Sequence, residues 1–475
     1  MPNSITQVQP PLEFIPPAYN PVVTGVARWL VPPWRRWRAQ VVEVHVNNAD
    51  VLVDLYQQFQ AGKLRFMLAF RHPSTNDPFC MAALLWQAVP KLALQKGIRL
   101  KATPHAHFIY DRGIPLWAGK LVGWLYSQLG GTPIRRGKVD LMGLRSIRQL
   151  FTDGQFPMAA APEGATNGHN EIVSPIEPGI AQFGFWCIED LHKANRTEPV
   201  AIVPVGIQYR LVGQPWRAIE ALLLQLEADS GLTTNGASQS LHLVDNVDLT
   251  HEQEAVLYQR LLRLGEHLLT LIEQFYSKFY QQPLTKPVSD STSATIESVE
   301  EVNQRLATRL QTLLDTVLKV AEQYFNLPAK GTVTDRCRRL EQAGWDRIYR
   351  EDLKQPETLS PVERGLADRI AEEANLRLWH MRLVETFVSV TGRYVLEKPT
   401  VDRFGETLLL LWDMETRLKG KFPFPRPKLG RLHACITVGD PISVSDRWET
   451  YQANRRQAVA TLTHDLQTSL EKMIL

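Results

Sequence analysis

Between residues 41 and 206 the chain alternates short apolar runs with stretches of helical period, and this alternation restricts its possible folds more than any other feature. LRFMLAF (64–70), GIRLKAT (97–103), FPMAAAP (156–162) and EPVAIVPVG (198–206) are each bounded by Gly, Pro or charge, as buried strands are. Helical stretches lie between them, near 78–95, 116–129, 140–151 and 179–195. The pattern predicts an α/β layered domain. Around 281–296, QQPLTKPVSDSTSATI has the composition of a linker. From there to about 420 the period is almost entirely helical, and LHACITVG (432–439) with a helix at about 449–474 closes the chain. The predicted organisation is an N-terminal arm (1–40), a core (41–245 and 428–475), a helix and linker (246–296), and a mostly helical insertion (297–425) before the last strand.

Several function classes are narrowed by composition. Lys and Arg total 53 against 50 Asp and Glu, so charge does not indicate a nucleic-acid partner. Cys80, Cys187, Cys337 and Cys435 are scattered and form no CxxC pair, which implies neither a zinc site nor a disulfide framework and fits a reducing compartment. His105 and His107 alternate as on a strand, but no acidic or Cys cluster accompanies them, so they read as core or surface histidines rather than metal ligands. His380 sits among apolar neighbours in a helical period and reads as packed.

The first residues lack the basic and apolar order of a secretory signal. No run reaches the roughly 18 apolar residues of a membrane span. The nearest, IPLWAGKLVGWLYSQL (114–129), carries Lys120 in its middle. Residues 1–25 read as an extended arm. In RWLVPPWRRWRAQ (28–40), Trp29, Trp34 and Trp37 stand among Arg28, Arg35, Arg36 and Arg38. Such a mixture suits a lipid headgroup layer, where the indole buries its ring and the guanidinium meets phosphate; it also suits a basic arm packed on its own domain.

FRHPSTNDPF (70–79) places His72 and Asp77 between a buried-type strand and a helix start. A neutral imidazole can take a proton from an attacking hydroxyl near pH 7, and a carboxylate beside it can fix the tautomer. Asp-Pro is equally a helix-start signal. GGTPIRRG (130–137) offers Arg135 and Arg136 after a Gly-rich turn, a way to present guanidinium to phosphate. APEGATNG (161–168) follows a buried run, and VPVGI (203–207) ends another with Pro204 shaping a turn.

In this order the four blocks resemble the signature of the PlsC-like lysophospholipid and glycerol-phosphate acyltransferases, and TVGDPISVSD with the helix after it is similar to that family's closing strand and terminal helix. The resemblance spans residues 72 to 207 and the end of the chain; the region 297–420 has no counterpart. It implies an α/β fold with an acyl tunnel, membrane attachment through the N-terminal segment at a cytoplasmic face, and direct acyl transfer from acyl-CoA or acyl-carrier protein without cofactor or metal. His72 would be the base and Asp77 its partner. Arg136 would hold an acceptor phosphate, Glu163 and Gly164 would help bind the acceptor, and Pro204 would shape the floor.

Two departures bear on the acceptor. The third block in the family runs Glu-Gly-Thr-Arg-Ser, whereas here Glu163 and Gly164 are followed by Ala165, Thr166 and Asn167, so the second phosphate-holding Arg is missing. Arg71 stands where the family has Asn; Arg71, Arg135 or Lys138 could offset the loss. The favoured acceptor is lysophosphatidic acid or another lysophospholipid. The alternatives are a non-phosphorylated acceptor such as an isoprenoid alcohol, quinol or neutral glyceride, or a catalytically silent lipid-binding relative. His169, just after the third block, is a further candidate for the acceptor pocket.

Overall fold

RFMLAF has no polar side chain after Arg65, so both faces of the strand it forms have to be covered. The computed structural model describes residues 6–135, 139–232, 241–284, 298–350, 352–353, 359–387 and 392–474. They fall into two compact units, Glu13–Val212 with Arg431–Leu475, and Met1–Leu12 with Gly213–Gly430.

The α/β unit runs α1 (Pro21–Trp37), β1 (Val41–Asn47), α2 (Ala49–Gln60), β2 (Arg65–Phe70) and α3 (Asp77–Ala83). A π-helical turn at Leu84–Ala88 carries α3 into α4 (Val89–Gln95). Then come β3 (His107–Asp111), α5 (Ile114–Ala118), α6 (Lys120–Gln128), β4 (Thr132–Ile134), α7 (Leu141–Asp153), β5 (Met158–Ala160), α8 (Gly179–Lys193) and β6 (Val200–Leu211). The helical unit supplies α9 (Trp216–Asp229), α10 (His251–Phe279), α11 (Val299–Phe325), α12 (Val333–Ile348), α13 (Pro361–Phe387), α14 (Gly392–Glu397) and α15 (Val401–Leu418). The chain then returns to the first unit as β7 (Leu432–Val438), β8 (Ile442–Ser443), α16 (Trp448–Ala453) and α17 (Arg455–Glu471).

One sheet organises the α/β unit, in the order β1-β7-β6-β2-β5-β3-β4, with β8 also paired to β6. The β1–β7, β6–β2, β2–β5, β5–β3 and β3–β4 pairs are parallel; β6 runs antiparallel to β7 and β8. Alternation along β2 feeds two cores. Phe66 and Leu68 join Leu52, Tyr56 and Leu84 on one face, while Met67 and Ala69 join Phe151, Phe185 and Leu466 on the other. The result is a helix–sheet–helix sandwich.

The course of the chain explains how a helical unit can interrupt the sequence of this sheet. Val212 donates its backbone N–H to Arg431 across 2.8 Å, so the exit and re-entry points are hydrogen-bonded neighbours at the end of the β6–β7 ladder. The helical unit starts at Gly213, earlier than the expected start at 297, and takes α9 and α10 with it. Thr250, Ser298 and Thr332 each open a helix with a capping box, satisfying orphan N–H groups. Arg260–Glu227 (2.6 Å) and Arg336–Glu322 (2.7 Å) are buried pairs inside it. His380 is fully buried there, with Nδ1 hydrogen-bonded to the Tyr276 hydroxyl; burial lowers its pKa to about 3.

Three local expectations are corrected. Residues 97–103 form no strand; the strand comes later, at His107–Asp111. The extended arm ends earlier than residue 25, because Asn20 caps a helix through Val22 and Val23 N–H and Pro21 occupies its first turn. Pro204 lies within β6 beside Ala69, not at a turn. The N–H and C=O of one strand residue point to the same side. The Pro204 carbonyl accepts from Gly439, just past the end of β7, and the β8 pairing does not begin until Ile202, so the missing N–H falls in a gap between two ladders.

Helix α1 turns its polar groups inward and its apolar side chains out. Arg35 is buried and donates to the Val41 carbonyl at 2.8 Å. Val22, Val26, Trp29, Leu30, Trp34 and Trp37 are exposed, Trp29 by 77% and Trp37 by 82%. Leu121 and Trp124 of α6 are exposed as well. Among the described residues no helix is long and apolar enough to cross a membrane.

Candidate active site

In a parallel sheet the loops after the strands' carboxyl ends collect at one edge, and that edge is where such folds build sites. His72 lies two residues beyond β2 and Glu163 three beyond β5. Strand β6 is longer than its neighbour: Val205 pairs with Phe70 at the end of β2, and residues 206–211 continue past it. Tyr209 therefore overhangs the loop that carries His72.

His72 Nδ1 is 2.7 Å from Asp77 Oδ2. Asp77 is fully buried at the start of α3, whereas the His72 side chain is 26% exposed. The Asp77 carboxylate also accepts from the Ser74 backbone N–H at 3.1 Å and from the Tyr209 hydroxyl at 2.6 Å. Cys80 Sγ lies 3.2 Å from the same hydroxyl. Burial pushes the Tyr209 phenol well above its ordinary range and the Cys80 thiol up to about 12, so both stay protonated donors at neutral pH. His72 Nε2 makes no hydrogen bond among the described residues. One ring nitrogen is fixed by a buried carboxylate and the other is open, the arrangement of a general base that takes a proton at Nε2.

Glu163 holds His72 from its backbone side. Its Oε1 accepts from the His72 N–H at 2.8 Å, and its Oε2 accepts from Asn167 Nδ2 at 3.1 Å and Ser174 N–H at 3.0 Å. The carboxylate is buried and faces the loop, a scaffold position rather than the acceptor contact expected of it. Gly164 has φ +72°, a left-handed turn residue directly after it.

Arg71 is likewise placed otherwise than expected. It is 1% exposed and cannot reach a phosphate in solvent. Its guanidinium donates to the carbonyls of Asn170 (2.5 Å), Ile172 (2.6 Å) and His169 (3.2 Å) and lies 3.6 Å from Glu163. Arg135 is buried, and its backbone N–H donates to Asp140 at 2.8 Å. Arg136 and Lys138 lie outside the described residues. Pro204 is in the sheet interior, one residue from the Val205 carbonyl that accepts the Arg71 N–H. His169 is buried, its carbonyl held by Arg71.

The paired histidines are structural. His105 Nδ1 accepts from the Trp86 indole N–H at 3.2 Å and its Nε2 donates to the Leu129 carbonyl at 2.9 Å, and burial takes its pKa down to about 4. His107 Nδ1 meets Gly130 O at 2.9 Å. Among the described residues no group of three or more His, Cys, Asp or Glu is placed to hold a metal.

Tyr209, Ser74 and Cys80 were not singled out from sequence. Tyr209 carries no local motif and lies 132 residues from Asp77; only the overhang of β6 brings it there. Comparison with family models, with curated proteins and with solved structures returned no match.

Proposed function

We propose that this chain is an acyltransferase that moves an acyl group from a thioester, acyl-CoA or acyl-carrier protein, to a lipid hydroxyl at a membrane surface. The observation that carries the reading is the His72–Asp77 contact of 2.7 Å, with the carboxylate fully buried and the imidazole partly open. It supports the resemblance of the four sequence blocks to the PlsC-like acyltransferases, because the two residues that would have to meet do meet.

In the proposed reaction His72 Nε2 takes the acceptor hydroxyl proton as the oxygen attacks the thioester carbonyl carbon. The C–S bond breaks, and the imidazolium returns the proton to the leaving thiolate. Asp77 holds the Nδ1–H and stabilises the imidazolium. The apolar outer face of α1, flanked by exposed Arg36 and Arg38, would lie in the headgroup layer of a cytoplasmic membrane face as a peripheral attachment.

A second reading, with a non-phosphorylated acceptor, is favoured by one observation. The Arg71 guanidinium is committed to Glu163 and three carbonyls, so it does not replace the missing third-block arginine.

The test is acyl transfer in mixed micelles with acyl-CoA and acyl-carrier protein as donors and a panel of phosphate-bearing and neutral acceptors. Transfer abolished by His72→Ala and lowered about 10³- to 10⁴-fold by Asp77→Asn is the expected outcome. Transfer by His72→Ala equal to that of the parent would defeat the catalytic reading. An Arg136→Ala variant that loses only phosphate-bearing acceptors would decide between the two acceptor classes.

A further inference from the structure

We propose that Tyr209 is a positioning residue for the His72–Asp77 pair, the second of three donors in a buried chain that runs Cys80, Tyr209, Asp77, His72. The inference rests on the acyl-transfer reading for its kinetics but not for its geometry.

A carboxylate that orients a catalytic imidazole has to be held in one rotamer and kept a moderate acceptor. Asp77 Oδ2 is shared by His72 Nδ1 at 2.7 Å and the Ser74 N–H at 3.1 Å. Oδ1 receives the Tyr209 hydroxyl at 2.6 Å, the shortest of the three contacts. Without Tyr209, Oδ1 of a fully buried carboxylate would lose that donor. The Tyr209 proton is committed to Asp77, so at 3.2 Å the Cys80 thiol is the donor to the phenol oxygen. Donors in series polarise one another, so the Cys80 thiol strengthens the Tyr209–Asp77 bond.

The position is built rather than incidental. Tyr209 stands on the part of β6 that outruns β2, and its backbone N–H donates to Asn170 Oδ1 at 2.7 Å. The Asn170 carbonyl is in turn held by Arg71 at 2.5 Å. The loop that Glu163 and Arg71 order is thus the same loop that fixes the strand carrying Tyr209.

Removing the hydroxyl has a definite sign. A carboxylate that loses a donor becomes more basic, binds the Nδ1 proton of His72 more strongly and stabilises the imidazolium. The acidic limb of activity then moves to higher pH. The charged and titratable groups around the pair are Asp77 and Cys80 on α3, Arg71 at the end of β2, Glu163 after β5, and Arg35 of α1, whose charge is felt at Cys80. Tyr209→Phe removes one hydrogen bond from each of Asp77 and Cys80 and touches none of the others.

The experiment compares the parent, Tyr209→Phe and Cys80→Ala. The low-field proton resonance of His72 Nδ1–H is followed by NMR, and kcat and KM are measured against pH. In Tyr209→Phe the resonance moves further downfield, the acidic limb shifts to higher pH, and kcat falls about tenfold at unchanged KM. Cys80→Ala, which keeps the Tyr209–Asp77 bond, shows the same changes to a smaller degree and serves if Tyr209→Phe folds poorly. A resonance and an acidic limb that coincide with the parent in both variants would overturn the proposal. A resonance that moves in a chain with no transfer activity would leave Tyr209 as the positioning residue and remove the acyltransferase reading instead.

Discussion

Replacing Arg71 by Met tests what a fully buried positive charge beside the site does. The side chain is 1% exposed and lies 3.6 Å from a Glu163 carboxylate that is equally buried, and it satisfies three carbonyls between residues 169 and 172. Met keeps most of the volume and removes the charge and all the donors. Hydrogen bonds from an ionised group contribute about 1.5–3 kcal/mol each but do not add fully, and breaking a buried pair costs about 3–5 kcal/mol. Glu163 would keep its three other donors, from His72, Asn167 and Ser174, which holds the loss within that range. For a unit of this size the corresponding fall in Tm is roughly 6–20 °C.

Calorimetry suits the assay, because a chain of two units need not unfold in one step and the transition of the α/β unit should move alone. Arg71→Lys retains the charge but not the fork that spans three carbonyls, so it recovers less than half of the loss. Adding Glu163→Gln to Arg71→Met removes the uncompensated carboxylate and should restore part of the stability. If Arg71 instead held an acceptor phosphate, Arg71→Met would raise KM and leave Tm where it was. That result would refute the scaffold role.

Acid should loosen the α/β unit through His105: its folded pKa of about 4 lies below its unfolded value, so stability is complete above about pH 6.5 and falls by on the order of 3 kcal/mol toward pH 4, then levels off; His105→Gln should flatten the Tm-against-pH curve in that window. Gly164→Ala forces a side chain into φ +72° and should cost about 1–2 kcal/mol by urea denaturation, with a loss of transfer activity because Glu163 precedes it; equal stability would mean the turn relaxes. Trp29→Ser and Trp37→Ser should each weaken binding to anionic lipid vesicles roughly tenfold in a sedimentation assay without changing Tm, since both rings are exposed; unchanged binding would detach α1 from the membrane reading.

The layering of the α/β unit was readable because its signal is local and redundant. A strand covered on both faces has to be apolar at every position, and RFMLAF is, so β2 announced itself and with it the loop that carries His72 and Asp77. GIRLKAT misled for the converse reason. Its apolar residues sit in an irregular segment whose backbone groups at Lys101 and Ala102 are satisfied by Gln60 Oε1, a partner no pattern at 97–103 can reveal. Asn20-Pro21 was a helix start hidden among other prolines of the arm. The boundary at Gly213 was invisible because a helical period says that a face is buried and not which neighbour buries it, so α9 reads as part of the core and α10 as a helix before the linker.

The charged residues of the site show a deeper limit. Residue type assigns Arg to surfaces and phosphates, which suggests Arg71 as a phosphate contact, and the family resemblance implies Glu163 as an acceptor contact. The structure places them on the other side of His72, where they tie the loop at 163–174 to β2 and hold His72 by its backbone. Both readings require the same residues beside the same histidine; what differs is the direction of the side chain, and that is set by Asn167, Ser174 and the carbonyls of residues 169–172 acting together. An arginine at position 71 where an asparagine would serve elsewhere therefore need not alter the substrate at all. It supplies the countercharge for a buried carboxylate and the donors that hold the loop.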